Sequence, residues 1–473
     1  MPSRVVTVTL NYNHSKRFVL LLSETGVDHG RETILREARN KFRSKVSSVF
    51  LSGGVILAEG EPFPELVSQV WVGKGEPYCG PPGTVHGSPS AFDSELHLIS
   101  GKSYLDDKAI EQLKAVGRLP GVALAVGLPD LHPGSRYPIG CAIAAEGIYP
   151  ALIGSDVGCG IALYELSARP KSINPTKLAS ALRGLDDPWT GSVSAWLSNY
   201  GITRVSEFDT SLGTVGAGNH FAELCSVEKI VDEPAAEQLG VLAGGLYLLV
   251  HTGSRGLGSS ILAGETTMES NPYIPPDSPH LQEYLTEHDY AVRWALANRD
   301  LVAHRIKQCI MPSLEDAGEV QLNLKKIIDV THNSVTKHAL SVRDTTRELW
   351  VHRKGAAPAD QGVAPCPGNR GSFSWLLRPT GDGQYNAHSL AHGAGRRYAR
   401  NALHTGAKIN KANLTQTDLG SVVICEDANL LIEEQPEAYK DVACVVEDME
   451  DKGVCKGVLI LRPVVTYKVR KER

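Results

Sequence analysis

The stretch Gly154-Ser155-Asp156-Val157-Gly158-Cys159-Gly160 places a carboxylate and a thiol three positions apart among small residues. Three later histidines, His220, His251 and His332, also stand beside glycine or other small residues. Carboxylate, thiolate and imidazole ligands together favour Mn, Zn, Fe or Co over Mg or Ca. The pattern therefore predicts a transition-metal site assembled from distant parts of the chain.

A further histidine, His392, lies in Ser389-Leu390-Ala391-His392-Gly393-Ala394-Gly395-Arg396. The small residues in this segment would let a phosphate group approach the backbone. Together with the predicted metal site, the segment indicates metal-assisted phosphoryl or nucleotidyl transfer rather than simple binding.

Length and composition limit the class of protein. The 473 residues suffice for two or more domains. The chain has no apolar run of about 18 residues and no apolar signal core at its start, so we expect a cytoplasmic protein, with the nucleus as the alternative, and no membrane partner. The net charge of −5 excludes a bulk polycation, so nucleic-acid binding would need a local basic groove. Nine cysteines without a CxxC pattern predict reduced thiols.

Residues 1–79 are predicted to form a separate small module. Alternating apolar strands and one amphipathic helix follow the order ββαβββ, which resembles a β-grasp module of the ubiquitin-like or doublecortin-like type. The elements are expected at residues 5–10, 17–22, 33–42, 48–51, 55–58 and 69–72. Residues 80–94 are rich in Pro, Gly and Ser, which is typical of a linker.

Residues 95–473 are predicted to form one large α+β domain of mixed sheets and helices. Helices are expected at 105–116, 280–310 and 314–340, and strands at 122–128, 139–146, 161–167 and 246–250. Asn298 and Arg299 fall on polar positions of the helix at 280–310. The last strand, 458–468, is expected to be broken at Pro463 and followed by a basic tail that begins at Lys468.

The chain from about residue 100 onward resembles the RtcB family of RNA ligases. The resemblance rests on many short blocks in the family's order. They are 128–134 (Leu-Pro-Asp-Leu-His-Pro-Gly), 156–160, 218–221, 251–256, 332–333, 353–356, 367–371, 392–396, 439–441 and the closing strand to Lys468. Asp-Leu-His-Pro-Gly followed by Tyr-Pro-Ile-Gly looks closest to the branch called release-factor-H-coupled RtcB, here with an extra N-terminal module.

The resemblance implies a reaction and its cofactors. Ligases of this family use GTP and two Mn²⁺ ions to join an RNA 3′-phosphate or 2′,3′-cyclic phosphate to a 5′-hydroxyl end, in RNA repair or tRNA splicing. A histidine is first guanylylated, GMP then passes to the RNA 3′-phosphate, and the 5′-hydroxyl displaces GMP. The partners implied are RNA with those ends and an archease-like activator, and the N-terminal module would have an unidentified protein partner.

The same resemblance assigns the metal ligands. Asp156, Cys159 and His220 would hold one ion, and His251 and His332 would hold the second with Cys159 as a bridge. The alternative is a glycine-rich turn with a buried cysteine, since a free cysteine often packs as a small apolar residue. A lone histidine is likewise often a hydrogen-bonded core residue.

His392 would be the nucleophile that carries GMP, because a neutral imidazole attacks phosphorus readily. Asp130 matches the carboxylate that orients this histidine. Without the family pattern, His392 would be interpreted as a turn histidine and Asp130 as a turn-capping aspartate.

The resemblance implies that nucleotide recognition would fall to residues that match the family's guanosine pocket. They are Asn219, Phe221, Glu223, Asn369, Ser374, His392, Gly393, Ala394, Gly395, Tyr439 and Lys468. Asn369 stands where the family often has serine, which weakens the expected preference for guanine. The alternative for Lys468 is a solvated lysine near the C-terminus.

Basic residues inside the motifs are candidate RNA or triphosphate contacts: Arg255, Arg353, Lys354, Arg396 and Arg397. Two other functions stay open. One is a metal-dependent RNA end phosphodiesterase, which would need the metal ligands but not His392. The other is a non-enzymatic RNA-end binding or adaptor protein.

Overall fold

A computed structural model describes most of the chain. The described residues are 3–23, 30–51, 56–60, 63, 69–76, 78, 94–166, 174–266, 272–315, 324–403 and 414–469. The chain divides into two compact units, Met1–Ala91 and Phe92–Arg473. Of the predicted linker at 80–94, all but Ser94 lies outside the described residues.

Among its described residues, the first unit contains a four-stranded sheet and one helix. Its elements are β1 (Ser3–Leu10), β2 (Asn13–Ser23), α1 (Gly30–Phe42), β3 (Ser48–Phe50) and β4 (Gln69–Gly73). The strand order is β2-β1-β4-β3, with β1 and β4 parallel and the other two pairs antiparallel.

Helix α1 covers the sheet of the first unit with its buried face, which carries Ile34, Leu35 and Ala38. In the predicted strand at 55–58, Ile56 makes only an isolated bridge to Phe50, and Val55 lies outside the described residues. The β-grasp assignment stays a prediction.

The second unit contains three sheets among its described residues. Its strands are β5 (Glu95–Leu98), β6 (Val122–His132), β7 (Ile139–Ala145), β8 (Gly160–Glu165), β9 (Phe221–Ile230), β10 (Leu246–Thr252), β11 (Lys325–Thr331), β12 (Asn333–Val342), β13 (Thr345–Lys354), β14 (Ala356–Pro358), β15 (Ala364–Cys366), β16 (Ser374–Pro379), β17 (Ser389–Ala391), β18 (Val422–Cys425) and β19 (Cys455–Val469). The largest sheet has the order β11-β8-β10-β9-β19-β16-β15, with β18 also paired to β19. The second has the order β12-β13-β7-β6-β5, and β14 pairs with β17.

Helices surround these sheets. They are α2 (Asp107–Gly117), α3 (Pro150–Ile153), α4 (Pro175–Ala181), α5 (Val193–Ser198), α6 (Glu233–Leu239), α7 (Gly256–Glu265), α8 (His280–Glu315), α9 (Ala428–Glu433) and α10 (Val442–Asp451). The long helix α8 packs against the largest sheet, because Val302 and Ile306 join Leu248 and Val250 in one apolar cluster. None of the helices in the described part of the chain is both long and apolar enough to cross a membrane.

One apolar core joins the two larger sheets. Leu124 and Leu349 come from the five-strand sheet, and Leu249 and Leu459 come from the largest sheet. The sheets therefore pack against each other, with helices on their outer sides, as layered domains do. The prediction of an α+β fold is confirmed.

Two details of the prediction are wrong. Residues 325–331 and 333–342 form strands β11 and β12 rather than the helix expected at 314–340, and residues 316–323 lie outside the described part. Ile328 and Val330 are buried at alternate positions, and β-branched side chains favour strands over helices. Strand β19 also continues through Pro463, where a register shift accommodates the missing backbone N–H.

Candidate active site

Four side chains from separate segments converge on one buried point. The Sγ atom of Cys159 lies 3.3 Å from Nε2 of His220 and 3.4 Å from Nε2 of His251. Nε2 of His251 lies 3.2 Å from Nε2 of His332. Asp156 extends the group, because its Oδ2 lies 2.8 Å from Nε2 of His220.

Strand register explains the convergence. Strand β8 lies between β10 and β11, so Gly160, which follows Cys159, pairs with both Thr252 and Thr331. His251 and His332 adjoin these two partners in the chain. His220 directly precedes β9, where Phe221 pairs with His251. All four donors therefore lie at one end of the largest sheet.

A glycine is required beside this group. A Cβ atom at Gly253 would lie 2.2 Å from Oδ1 of Asp156 and 3.0 Å from Cα of Cys159. The first distance is too short for a Cβ atom, which would displace the carboxylate, and the second is at the limit of close contact. Gly253 therefore allows the loop with Asp156 and Cys159 to lie close against the end of β10.

The donor set fits a transition metal. Ligand atoms bound to one ion at about 2.0 to 2.3 Å lie roughly 3.3 to 3.6 Å apart in a tetrahedral site, close to the separations between Cys159, His220 and His251. These three side chains are buried and have the spacing to hold a metal ion. The group therefore has both the atoms and the separations that binding requires.

Electrostatics also favour a cation here. Burial lowers the pKa of His251 and of His332 well below the usual range, so both imidazoles are neutral and can donate lone pairs. Burial and the Asp156 carboxylate raise the pKa of the Cys159 thiol well above its usual range. A bound cation would reverse that effect, since metal coordination deprotonates a thiol.

His392 lies next to this group and contacts Asp130. Nδ1 of His392 is 2.7 Å from Oδ2 of Asp130, which is fully buried. The His392 ring centroid is 4.7 Å from that of His332. A neutral His392 that donates from Nδ1 to the carboxylate keeps the lone pair of Nε2 for attack on an electrophile.

The backbone around Asp130 is held from two sides. Nζ of Lys440 donates to the carbonyl oxygens of Pro129 at 2.9 Å and Leu131 at 2.7 Å. Gly395 has a φ of 68°, and a Cβ atom there would lie 2.2 Å from the carbonyl oxygen of Asp130. Burial lowers the pKa of Lys440 to about 8. The sequence analysis included Lys440 in the family block 439–441 but gave it no role, because its partners in β6 lie more than 300 positions away.

A cavity of about 790 Å³ opens over both groups. Cys159, His251, His332 and His392 line it, while Asp130 and His220 lie behind its surface. The predicted nucleotide contacts all line it as well: Asn219, Phe221, Glu223, Asn369, Ser374, Gly393, Ala394, Gly395, Tyr439 and Lys468. The structure therefore brings the predicted site residues to a single cavity or directly behind its wall.

Lys468 is buried in this wall, rather than being part of a solvated tail. Its Nζ donates to the carbonyl oxygens of Gly218 at 3.1 Å and His220 at 3.2 Å. It also lies 3.3 Å from Oε2 of Glu434, which accepts from the Tyr439 hydroxyl. Burial opposes ionisation of Glu434, but Lys468 and Tyr439 hold its pKa below the usual range. Glu434 was missed because it belongs to no recognisable motif.

Two of the predicted nucleotide contacts have polar side chains with defined hydrogen bonds in the cavity wall. Oε2 of Glu223 accepts from the Thr466 hydroxyl at 2.6 Å, and burial raises the pKa of Glu223 to about 7. Asn369 uses its Oδ1 to accept from the backbone N–H of Gly371 at 2.9 Å. The Asn369 side chain thus orders its own loop.

The predicted basic contacts have different environments. Lys354, Arg396 and Arg397 line the cavity. Arg353 is fully buried, with Nε donating to Ser389 Oγ at 2.9 Å. The prediction of Arg353 as an RNA or triphosphate contact is wrong, because successive residues of a strand face opposite sides and only Lys354 faces the cavity. Arg255 has a φ of 58° and its Nε lies 3.4 Å from Thr214 Oγ1.

Two residues of α8 support the metal-ligand loops from behind. Nη1 of Arg299 donates to the carbonyl oxygens of Gly158 at 2.9 Å and Thr252 at 3.1 Å, so it joins the segments of Cys159 and His251. Nδ2 of Asn298 donates to the carbonyl oxygen of Gly253 at 3.2 Å. Asn298 and Arg299 are both fully buried, although helical periodicity placed them among the polar positions.

Known proteins resemble this chain over most of its length. The sequence model of the family described as tRNA-splicing ligase RtcB matches residues 112–195 and 190–469. The RNA-splicing ligase RtcB2 of Escherichia coli is 39% identical over 381 residues, which is 80% of this chain and 96% of that protein. The tRNA-splicing ligase RtcB of Pyrobaculum aerophilum is 29% identical over 446 residues, with 76% and 91% covered. That of Methanococcus maripaludis is 28% identical over 460 residues, with 78% and 95% covered. The resemblance seen in the sequence motifs is thereby confirmed, and the chain belongs to the RtcB family.

Proposed function

We propose that this protein is a GTP- and Mn²⁺-dependent RNA ligase that joins 3′-phosphate or 2′,3′-cyclic phosphate ends to 5′-hydroxyl ends. Membership of the RtcB family and the names of its relatives, RNA-splicing and tRNA-splicing ligases, support RNA joining. The observation that carries the mechanism is the 2.7 Å contact of His392 with buried Asp130, beside a Cys/His group that can hold metal.

The chemistry follows from this contact. Oδ2 of Asp130 accepts a hydrogen bond from the Nδ1–H of His392, which keeps the lone pair on Nε2. Nε2 attacks the α-phosphorus of GTP, an N–P bond forms, and pyrophosphate leaves. An oxygen of the RNA 3′-phosphate then attacks the same phosphorus and releases His392. Finally the 5′-hydroxyl attacks the 3′-phosphate, loses its proton and displaces GMP. A cyclic phosphate must first be opened by water to the 3′-phosphate.

Two metal positions are proposed from the donor set. Asp156, Cys159 and His220 would hold one Mn²⁺ ion, and Cys159, His251 and His332 the other. Sγ of Cys159 is within 3.4 Å of donors from both sets, so it is the atom suited to bridge them. Bound ions would act as Lewis acids that withdraw charge from phosphate oxygens.

Guanosine recognition is assigned to the polar end of the cavity. Glu223 and Ser374 offer buried hydrogen-bonding groups, and Lys468, Tyr439 and Glu434 form a linked set beside them. A pocket with buried polar groups rejects a base that leaves them unpaired. Asn219, Phe221, Asn369 and the backbone of 393–395 would complete the contacts to base, ribose and phosphates.

The proposed partners are RNA with the stated ends and an archease-like activator, with a separate protein partner for the first unit. RNA follows from the family, and the activator would act on turnover rather than on the residues described above.

Labelling with α-³²P-GTP tests the proposal. We expect wild-type protein with Mn²⁺ to take an acid-labile label that His392→Ala loses, because the N–P bond to imidazole is acid-sensitive. His304→Ala is the matched control, since His304 is partly buried on α8 and does not line the cavity. Full ligation by His392→Ala would overturn the proposed mechanism. Loss of ligation with continued opening of cyclic phosphates by that variant would favour the phosphodiesterase instead.

A further inference from the structure

Two exposed tyrosines flank one arginine at the mouth of the cavity. The guanidinium carbon of Arg397 lies 6.0 Å from the ring centroid of Tyr104 and 5.4 Å from that of Tyr398. Arg397 and Tyr398 line the cavity, as do Asp106 and Lys108, which follow Tyr104 closely in the chain. We call Tyr104, Arg397 and Tyr398 the rim cluster.

The exposure of the rim cluster is unusual for this protein. Tyr104 is 51% exposed and Tyr398 is 42% exposed. Among the residues that the structure describes from Phe92 onward, no other Phe, Trp or Tyr is exposed to this extent. Exposure of an aromatic ring to water is unfavourable, because the free energy of burying it is not gained. Two exposed rings at one cavity mouth therefore indicate a binding surface.

Arg397 also differs from the nearby arginines in how its charge is compensated. Arg396 pairs with Glu434 at 3.0 Å, and Arg400 lies 3.9 Å from Glu433. In the described part of the chain, no carboxylate forms an ion pair with Arg397. Its guanidinium is therefore available to a phosphate as well as to the two rings.

Hydrogen bonds to the backbone hold Arg397 and Tyr398 of the rim cluster in place. The N–H groups of Arg397 and Tyr398 donate to the carbonyl oxygen of Ala438 at 2.8 and 3.3 Å. Nε of Arg396 donates to the carbonyl oxygen of Tyr398 at 3.1 Å. Rigid anchoring lowers the entropy cost of stacking a ligand on the rings.

We propose that the rim cluster is a stacking platform for bases of single-stranded RNA next to the end that reacts at His392. Exposed aromatic rings beside a free cation are the combination that proteins use for unpaired bases and their phosphates. Only four residues lie between His392 and Arg397 in the chain, so RNA bound at the rim lies close to the reaction centre. This inference rests on the proposed RNA ligation and adds to it a site for the nucleotides beyond the reacting phosphate.

RNA binding by variants tests the platform. The probe is a short single-stranded RNA with a 5′-hydroxyl, a 3′-phosphate and an internal fluorophore, and the readout is anisotropy at fixed salt. We expect Tyr104→Ala and Tyr398→Ala each to weaken binding by about 5- to 100-fold, the usual loss per stacked base. The matching Tyr→Phe variants keep the ring and should bind like wild type. Tyr12→Ala is the control, because Tyr12 in the first unit is also 51% exposed and lies under Lys74.

A second probe separates stacking from other effects. The same RNA with abasic terminal nucleotides should bind wild type more weakly, and the Tyr104→Ala/Tyr398→Ala double variant should show no further loss with it. Equal binding of the RNA by wild type and the alanine variants would overturn the platform. The same conclusion would follow if the abasic RNA lost the same affinity for wild type and for the double variant, or if wild type bound no RNA.

GTP labelling of the same preparations keeps this inference distinct from the proposed function. If wild type takes label and ligates while the alanine variants bind RNA normally, only the platform is wrong. If RNA binding depends on both tyrosines while wild type takes no label, the ligation mechanism is wrong and the platform stands.

Discussion

The rings of His332 and His392 lie against each other with their centroids 4.7 Å apart. His332 belongs to the Cys/His group and His392 contacts Asp130, so the proposed metal site and the proposed nucleophile lie directly beside each other. A change in the metal ligands is therefore expected to affect guanylylation directly.

Removal of the shared thiol tests that relationship. Cys159→Ala should lower Mn²⁺ affinity by more than about 100-fold, because even the loss of a hydrogen-bonding partner of a ligand costs 10- to 100-fold. GTP labelling should fall with it. Bound metal can be measured by mass spectrometry after gel filtration. Cys225→Ala is the control, since Cys225 is fully buried in β9 and belongs to no metal-ligand set. Equal metal content in both variants would contradict the assignment.

The orientation of His392 by Asp130 is tested by Asp130→Asn. An amide can donate to Nδ1 and stabilise the tautomer that carries its proton on Nε2, which removes the attacking lone pair. We expect the rate of single-turnover labelling to fall by about 10²- to 10⁴-fold. Metal content and melting temperature should stay near wild type, because Asp130 is not among the proposed ligands. A labelling rate close to that of wild type would argue against this role.

Guanosine binding should depend on pH through Glu223. Burial raises the pKa of Glu223 to about 7, so the carboxyl group is protonated below that pH and cannot accept two N–H groups of guanine. Affinity is therefore expected to rise with pH by up to about ten-fold per unit below the pKa and to level off above it. Calorimetry with uncharged guanosine, without metal, avoids titration of nucleotide phosphates.

Two variants check the source of that dependence. Glu223→Gln should bind guanosine weakly at all pH values, with no midpoint near 7. Thr466→Val removes the hydroxyl that donates to the ionised group, so the midpoint should move to higher pH. A midpoint near 7 that persists in Glu223→Gln would assign the titration to another group.

Local sequence could indicate the parts of the site that lie in short motifs. Asp156, Cys159 and the histidines each stand among small residues, and this composition is visible without a structure. Strands such as β10 were also predictable, because an apolar run of that length has few alternatives in a folded domain. The β11–β12 region was not, since apolar residues in short segments fit both helical and strand periodicity.

Long-range partners could not be inferred from local patterns. Glu434 acquires its role only because β19 brings Lys468 beside it, and Lys440 reaches the backbone around Asp130 from the N-terminal end of α10. Arg299 looked like a surface residue, because a buried charge is rare and requires several acceptors from distant segments. These residues become recognisable only when the sheet order is known.

Arg299 offers a test of support from behind the metal site. Arg299→Lys keeps a positive charge but cannot reach the carbonyl oxygens of Gly158 and Thr252 together. We expect Mn²⁺ affinity to fall by about 10- to 100-fold, as for other partners that orient metal ligands. The control is Arg305→Lys, a buried arginine further along α8 that donates to the carbonyl oxygens of Gly213 and Leu185. If both variants lose stability but neither loses metal affinity, Arg299 has only a structural role.

Deletion of the first unit tests whether that unit contributes to labelling and ligation. The family match begins at residue 112, and the first unit has its own apolar core, which includes Val8, Ile34 and Val70. A chain of residues 92–473 is therefore expected to fold and to take the guanylyl label at a rate within about two-fold of the full chain, since domains with separate cores usually fold independently. Joining of a short RNA should survive as well, because every proposed ligand and the rim cluster lie in the second unit. The readouts are a cooperative melting transition, the labelling rate and ligation in one preparation. Loss of label from a truncated chain that still melts cooperatively would mean that the first unit contributes to the chemistry.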